Sequence, residues 1–508
     1  MLFRRSKAIT RLFCFMVLLL AFPTLAMAQK ETQLLAGVAK VDVTNPEAGP
    51  TQDKLFVKAL VLKQGDTTSA IITVDAVAIG EIGPIKNDYF PKVREALQKE
   101  LNIAPSNVMA NASHCHGIVC NDIAERTVDA VRKASSNLVP VKAGTGVGFE
   151  NRIMENRRLK LKSGRELDVR HAYSLPPDEE VAGVGPIDPQ IGILKLERMN
   201  GKPLALVYNF ACHPIMGLAS GENTADLTGF ASRVIENNLG DDCIALFIQG
   251  CGGDINPVMY KDVNNPRNAE PLGNLLGLSV LAAARKISCT DNPALKIVRE
   301  TLDLPRADLS SKIDALLMEQ ARLVKSLRGT SLNFKTFLPL MVKYNLSPDF
   351  PSYYSHRYLQ EKAIGKDDME KMDAANRKNM QQYLQNIHTM EALTRNQTNL
   401  ALLQKHQATN IASGKRTLEV EMVGLRVGDF VMVTFPGELT VEIGLGIKKR
   451  SPHKHTFVAG YTNGYIYYTP TAKQLENRGG AQEDSDCLLA PEWQKLFEDK
   501  VTQILRKL

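Results

Sequence analysis

Nine histidines occur in the chain, and three of them fall in two short segments, Ser113-His114-Cys115-His116-Gly117 and Phe210-Ala211-Cys212-His213-Pro214. Each segment follows an apolar run that reads as a buried strand, Val108-Met109-Ala110 before the first and Leu204-Ala205-Leu206-Val207-Tyr208 before the second. Chemistry concentrates where strands run out into loops, because the sheet positions a side chain and the loop exposes it. Imidazole is the commonest zinc ligand among side chains. In an extended segment a His-x-His pair points both rings to one face. The pattern points to a metal site and hydrolytic chemistry. The structural alternative is a set of strand-end histidines satisfied by neighbouring groups.

Four further segments share this placement. Gln249-Gly250-Cys251-Gly252-Gly253-Asp254-Ile255-Asn256-Pro257 follows an apolar strand at 244–248. Its glycines allow close backbone approach, and its N–H groups could form an oxyanion hole. It could equally be a turn in which Asp254 caps a helix. Phe435-Pro436-Gly437-Glu438 places a carboxylate at a strand end, where it could ligate zinc. The run 463–471 holds Tyr465, Tyr467 and Tyr468, a cluster suited either to packing or to a site. Asp226 stands where it would cap the helix that follows.

These loops need a frame. Apolar or β-rich runs at 34–43, 54–62, 69–77, 107–112, 194–197, 204–210 and 243–249 read as strands. Amphipathic runs at 89–101, 120–135, 227–238 and 272–287 read as helices between them. The alternation gives a mixed α/β (α+β) fold, a layered sheet-and-helix domain. From about 307 to 415 the composition shifts to Lys, Glu, Gln, Met and Asn, with helical periods at 309–327 and 367–407. This reads as a helical insertion, either packed on the sheet or acting as a lid. Strands return at 418–427 and 430–435, and a helix closes the chain at 493–508.

The first 28 residues read as a secretory signal. Arg4, Arg5, Lys7 and Arg11 precede an apolar core at 12–20, and Ala26-Met27-Ala28 is a small-x-small cleavage site. The core is shorter than an ordinary membrane span. Export to a periplasm or the medium is expected. Removing the leader lowers the formal charge from +7 to +3, a balance that gives no footing for nucleic acid. The remaining 29–508 can form one large domain. Seven of the eight cysteines remain, an odd number. Cys115 and Cys120 are close enough to bridge, and Cys115, Cys212 and Cys251 lie in the candidate loops, where small buried thiols compete with zinc ligands.

Together these segments resemble the neutral/alkaline (non-lysosomal) ceramidase family. The resemblance runs in order through Gly37 to Thr44, Asn107 to Gly117, Gly201 to Pro214, Asp226 to Phe230, Gln249 to Pro257, Pro436-Gly437-Glu438 and Asn463 to Thr471. It implies a zinc amidase fold with one Zn2+ held by two histidines, a glutamate and a tyrosine. Motif by motif, these fall on His114, His213, Glu438 and Tyr465, with Tyr461 and Tyr468 close by. His116 corresponds to the family's second histidine, which acts near the substrate. Arg152, in Asn151-Arg152, corresponds to an arginine that contacts it. The family's active-site serine falls on Asn256, which cannot be a nucleophile but could donate an amide N–H to an oxyanion. The family's C-terminal immunoglobulin-like domain has no counterpart here, and the 307–415 insertion has none in the family. The implied reaction is cleavage of an N-acyl amide by a zinc-activated water, on a lipid or other small molecule, with peripheral membrane contact. Two alternatives share the scaffold: a zinc hydrolase of glycans or other non-lipid substrates, and a non-catalytic binding protein.

Overall fold

The computed structural model describes residues 33–508 apart from 170–174, 218–220, 241, 261, 263, 265, 353 and 354; the leader lies outside the described residues. Eight strands form the principal sheet: β1 (Leu35–Asp42), β2 (Phe56–Gln64), β3 (Thr67–Val74), β4 (Val108–Ala112), β5 (Val139–Phe149), β6 (Gln190–Arg198), β7 (Pro203–Phe210) and β8 (Ile244–Gln249). Their order is β8-β7-β6-β5-β1-β2-β3-β4. The β7/β8 and β3/β4 pairs are parallel and the others antiparallel. A second sheet runs β9 (Leu295–Pro305), β10 (Thr417–Val427), β11 (Phe430–Thr434), β12 (His455–Ala459).

Strand β2 shows why the architecture is layered. Val57, Ala59 and Val61 pack on one face with helices α1 (Tyr89–Leu101) and α2 (Ile123–Ser136). Leu60 and Leu62 point the other way and meet Leu425, Met432 and Phe457 of the second sheet. Burial on both faces turns the expected polar–apolar alternation into an unbroken apolar run. Helices α3 (Asp226–Leu239) and α4 (Ala269–Ala284) cover β6–β8 through Leu227, Ile235, Leu276 and Val280. The outer face of the second sheet is covered by α9 (Val441–Arg450) and α11 (Trp493–Lys507) through Ile443, Ile447, Trp493 and Phe497. The result is a mixed α/β fold of four layers, helix–sheet–sheet–helix.

Between the paired strands β9 and β10 lie α5 (Ser310–Ser326), α6 (Phe334–Leu346), α7 (Ser355–Ala363) and α8 (Asp368–Ala412). Helix α8 is 45 residues, about 68 Å at 1.5 Å per residue. Its contacts with the body are largely polar. Arg395 pairs with Asp168 at 3.2 Å, His406 Nε2 meets Asp486 Oδ1 at 2.6 Å, and Asn410 Nδ2 donates to the carbonyls of Ala307 and Leu488. Helix α10 (Gln482–Ser485) is the short segment this stripe grips. The seven described cysteines are all free. A Cys115–Cys120 bridge does not form; both thiols pack separately into the core beneath α1 and α2.

Candidate metal centre

β4 and β8 are opposite edges of the principal sheet, yet His114 follows one and His213 lies beside the other. The segment after β12 brings the edges together. Ala112 N–H donates to the Tyr461 carbonyl and Asn463 N–H to the Ala110 carbonyl, on the β4 side. Gly460 N–H donates to the Gln249 carbonyl on the β8 side. The edges also meet directly, where Gln249 N–H donates to Asn111 Oδ1 at 2.9 Å. Residues 460–463 are thus a wedge that closes the gap between the two edges.

Around this closure three side chains converge. His114, His213 and Glu438 are each buried, and their potential ligand atoms all lie within 4.8 Å of one another. His213 Nε2 is 3.2 Å from Glu438 Oε2, and His114 Nε2 is 3.5 Å from Glu438 Oε1. Each ring's other nitrogen faces a main-chain carbonyl: His114 Nδ1 the oxygen of Val77 at 2.6 Å, His213 Nδ1 that of Ile255 at 3.0 Å. A protonated Nδ1 held this way leaves the Nε2 lone pair directed inward, which is the arrangement of metal-binding imidazoles. Two nitrogens and a carboxylate suit zinc's donor preference. The backbone pays attention to this spot as well: His114, Tyr461 and Asn463 have φ of 68°, 51° and 64°, and left-handed conformations in such residues gather at functional sites.

Burial alone would raise the carboxyl of Glu438, but the nearby rings of His114 and His213 and the hydroxyl of Tyr465 outweigh it and hold it well below the usual range. The opposite holds for Tyr461 and Tyr465. Burial and then the Glu438 charge push both hydroxyls up, so they are neutral donors to Glu438. Tyr468 lies parallel to the His213 ring, with its hydroxyl 3.4 Å from Nε2. All three tyrosines left open by the sequence therefore border the group, two through Glu438 and one through His213.

His116 is exposed, its ring centroid 5.7 Å from that of His114. Asn256 is buried on a short strand (Ile255–Pro257), and its Oδ1 accepts from Arg157 Nη1 at 3.0 Å. Arg152 is mostly exposed, and its guanidinium pairs with Glu150. The Asn-Arg pair recurs five residues on, and it is this Asn156-Arg157 pair that reaches Asn256. Arg157 is buried, pairs with Glu483 at 2.6 Å, donates to the Gly253 carbonyl, and lies 5.6 Å over the Tyr468 ring. The expectation of an open oxyanion hole in the glycine loop is corrected. Its N–H groups at Gly250, Gly252 and Gly253 donate to the carbonyls of Phe210, Gly250 and Leu439. A Cβ at Gly253 would come within 2.6 Å of the Glu438 carbonyl, so the glycine serves close packing. Asp254 is a cap, as its second reading allowed, but of α9: its Oδ1 accepts from Val441 N–H at 2.8 Å. Asp226 opens α3 and accepts from the N–H groups of Leu227 and Gly217.

Sequence reasoning also passed over Gln249. Its side chain is fully buried and ties the two histidine loops together. Nε2 donates to the carbonyls of Ser113 at 3.2 Å and Cys212 at 2.8 Å, and Oε1 accepts from Gly250 N–H at 3.0 Å.

No family model matches the chain, and no curated protein matches it in sequence. Solved structures do share its fold. A crystal structure of neutral ceramidase from Pseudomonas aeruginosa superposes with a TM-score of 0.58 at 15% identity, over 94% of this chain and 75% of the other. A ceramidase complexed with C2 gives a TM-score of 0.58 at 15% identity, over 93% and 75%. At this identity the likeness is one of fold.

Proposed function

We propose that the chain is an exported zinc-dependent hydrolase that cleaves an N-acyl amide bond, as the name of the ceramidases that share its fold suggests. The observation that carries the reading is the buried His114–His213–Glu438 group with each imidazole Nδ1 engaged by a carbonyl. Zinc held by these residues, with Tyr465 as a fourth donor, supplies the Lewis acidity that activates water and polarises a carbonyl near neutral pH. The chain's own residues do the rest. Exposed His116 moves protons between solvent and the departing amine. Arg157, anchored by Glu483, fixes Oδ1 of Asn256, so the amide Nδ2 is the face presented to the oxygen on which charge develops. Asparagine at that position excludes a side-chain nucleophile there, and water is the attacking group.

The test is metal content by elemental mass spectrometry on the chain from Gln29, wild type against His213→Ala, with hydrolysis of an N-acyl sphingosine analogue measured alongside. About one zinc per chain, lost with the activity in the variant, is expected. Wild-type protein that takes up no zinc, or a variant that keeps both, would overturn the reading.

A further inference from the structure

Most of the large apolar side chains exposed among the described residues lie between β9 and β10, in the α5–α8 segment. They are ordered on α6. Phe337 and Tyr344 are the buried anchors of this helix, packed with Met380 and Tyr383 of α8. On the other side Phe334, Leu338, Val342 and Leu346 recur every four residues and are 63%, 46%, 57% and 81% exposed. Steps of four advance about 40° each, so the four side chains form one continuous stripe over about 120° of the helix. A soluble helix normally buries one such stripe; α6 has a second that nothing in the fold covers.

The charge around the stripe is mostly basic. From 323 to 349 there are four basic residues, Lys325, Arg328, Lys335 and Lys343, against one acidic residue, the exposed Asp349 beyond the end of the helix. Behind the helix, Asp373 is buried and accepts from the Tyr344 and Tyr358 hydroxyls at 2.6 Å. An apolar stripe with lysines beside it is the signature of a helix that lies in the headgroup plane of an anionic bilayer. A second copy is the poorer fit, because two such faces would bring like charges together. No helix among the described residues is long and apolar enough to cross a membrane, so the contact is with the surface.

We infer that α6 docks the protein on anionic lipid surfaces, with Phe334, Leu338, Val342 and Leu346 inserted and Lys335 and Lys343 on the headgroups. The inference stands apart from the hydrolase reading, since vesicle binding needs neither metal nor substrate. The test is sedimentation of the chain from Gln29 with vesicles of phosphatidylcholine containing phosphatidylglycerol, and with phosphatidylcholine alone. Binding is expected to the anionic vesicles and to fall steeply by about 0.5 M salt. Leu338→Ser/Leu346→Ser should weaken it by at least about 30-fold, and Lys335→Glu/Lys343→Glu by at least about tenfold. All four side chains are at the surface of α6, and an unchanged circular dichroism spectrum and Tm confirm that the variants fold. Absence of vesicle binding, binding that survives both double variants, or a dimer in light scattering that Leu338→Ser/Leu346→Ser splits while vesicles are never bound would each overturn the inference.

Discussion

Replacing Gln249 with leucine should loosen the metal centre without touching a ligand. The glutamine side chain is fully buried and is the one group that bonds the carbonyls preceding both histidines, Ser113 and Cys212. Leucine keeps most of the volume and removes both donors. Two buried carbonyls then lose their partner, at about 1–3 kcal/mol each, so the loss of stability is about 2–6 kcal/mol. The same change frees the two loops to move relative to each other. Outer groups that orient metal ligands are typically worth about 10–100-fold in affinity, and a shift of that size is expected for zinc. Competition against a chromophoric chelator gives the affinity, and urea unfolding of the metal-free protein gives the stability. Gln249→Glu is the control: its Oε1 can still accept from Gly250 N–H, but the second oxygen faces two carbonyls, so it should be no better than leucine. A Gln249→Leu protein with wild-type zinc affinity and an unchanged urea midpoint would refute the idea that this side chain couples the two loops.

Two further predictions concern buried polar groups. Burial raises Asp226 to about 6, against the N–H groups of Gly217, Leu227 and Met216, from an ordinary 3.8. A raised folded-state value means that its stabilisation is complete below about pH 4 and is lost as pH rises through about 6, up to about 3 kcal/mol in all. Asp226→Asn should therefore gain on the wild type by up to that amount between pH 4 and pH 7 in urea unfolding; a gap independent of pH would show that the carboxyl does not titrate in this window. On α8, His406 bonds Asp486, whose carbonyl accepts from Tyr468 N–H at 3.0 Å. His406→Ala should cost about 3 kcal/mol of stability and reduce hydrolysis through Tyr468 while zinc content stays unchanged; full activity would sever that link.

The sequence pattern led to the layered fold and to the strand-end loops because both follow from local rules. Period-2 and unbroken apolar runs mark β2, β7 and β8, and a polar group after each run marks a loop. Strand β5 is silent by the same rules. Gly144, Gly146 and Gly148 replace its apolar residues on one face, because a Cβ there would come within about 3 Å of Ile287, Ser288 or Ala283. Strand β9 is missed for the opposite reason. Lys296, Arg299, Glu300 and Asp303 make it read as surface, which suits its place at the edge of the second sheet. Arg157 was hidden by a duplicate: two Asn-Arg pairs five residues apart are equivalent until burial separates them. Gln249 was hidden because a glutamine at a strand end carries no signal of what its amide will meet.

What no local rule could supply is the pairing of the two edges. β4 and β8 stand at opposite ends of the strand order, and the 460–463 wedge, contributed from beyond the second sheet, joins them together with the direct bond from Gln249 N–H to Asn111 Oδ1. That wedge also carries Tyr461, whose hydroxyl bonds Glu438 at 3.1 Å. The residues that close the sheet therefore also border the centre. It follows that zinc binding should stabilise the whole fold rather than a loop, since ligand binding to the native state alone raises its stability by mass action. Glu438 follows β11, the neighbour of β12 that delivers the wedge, so one sheet positions both the carboxylate of the group and a clasp between the two edges.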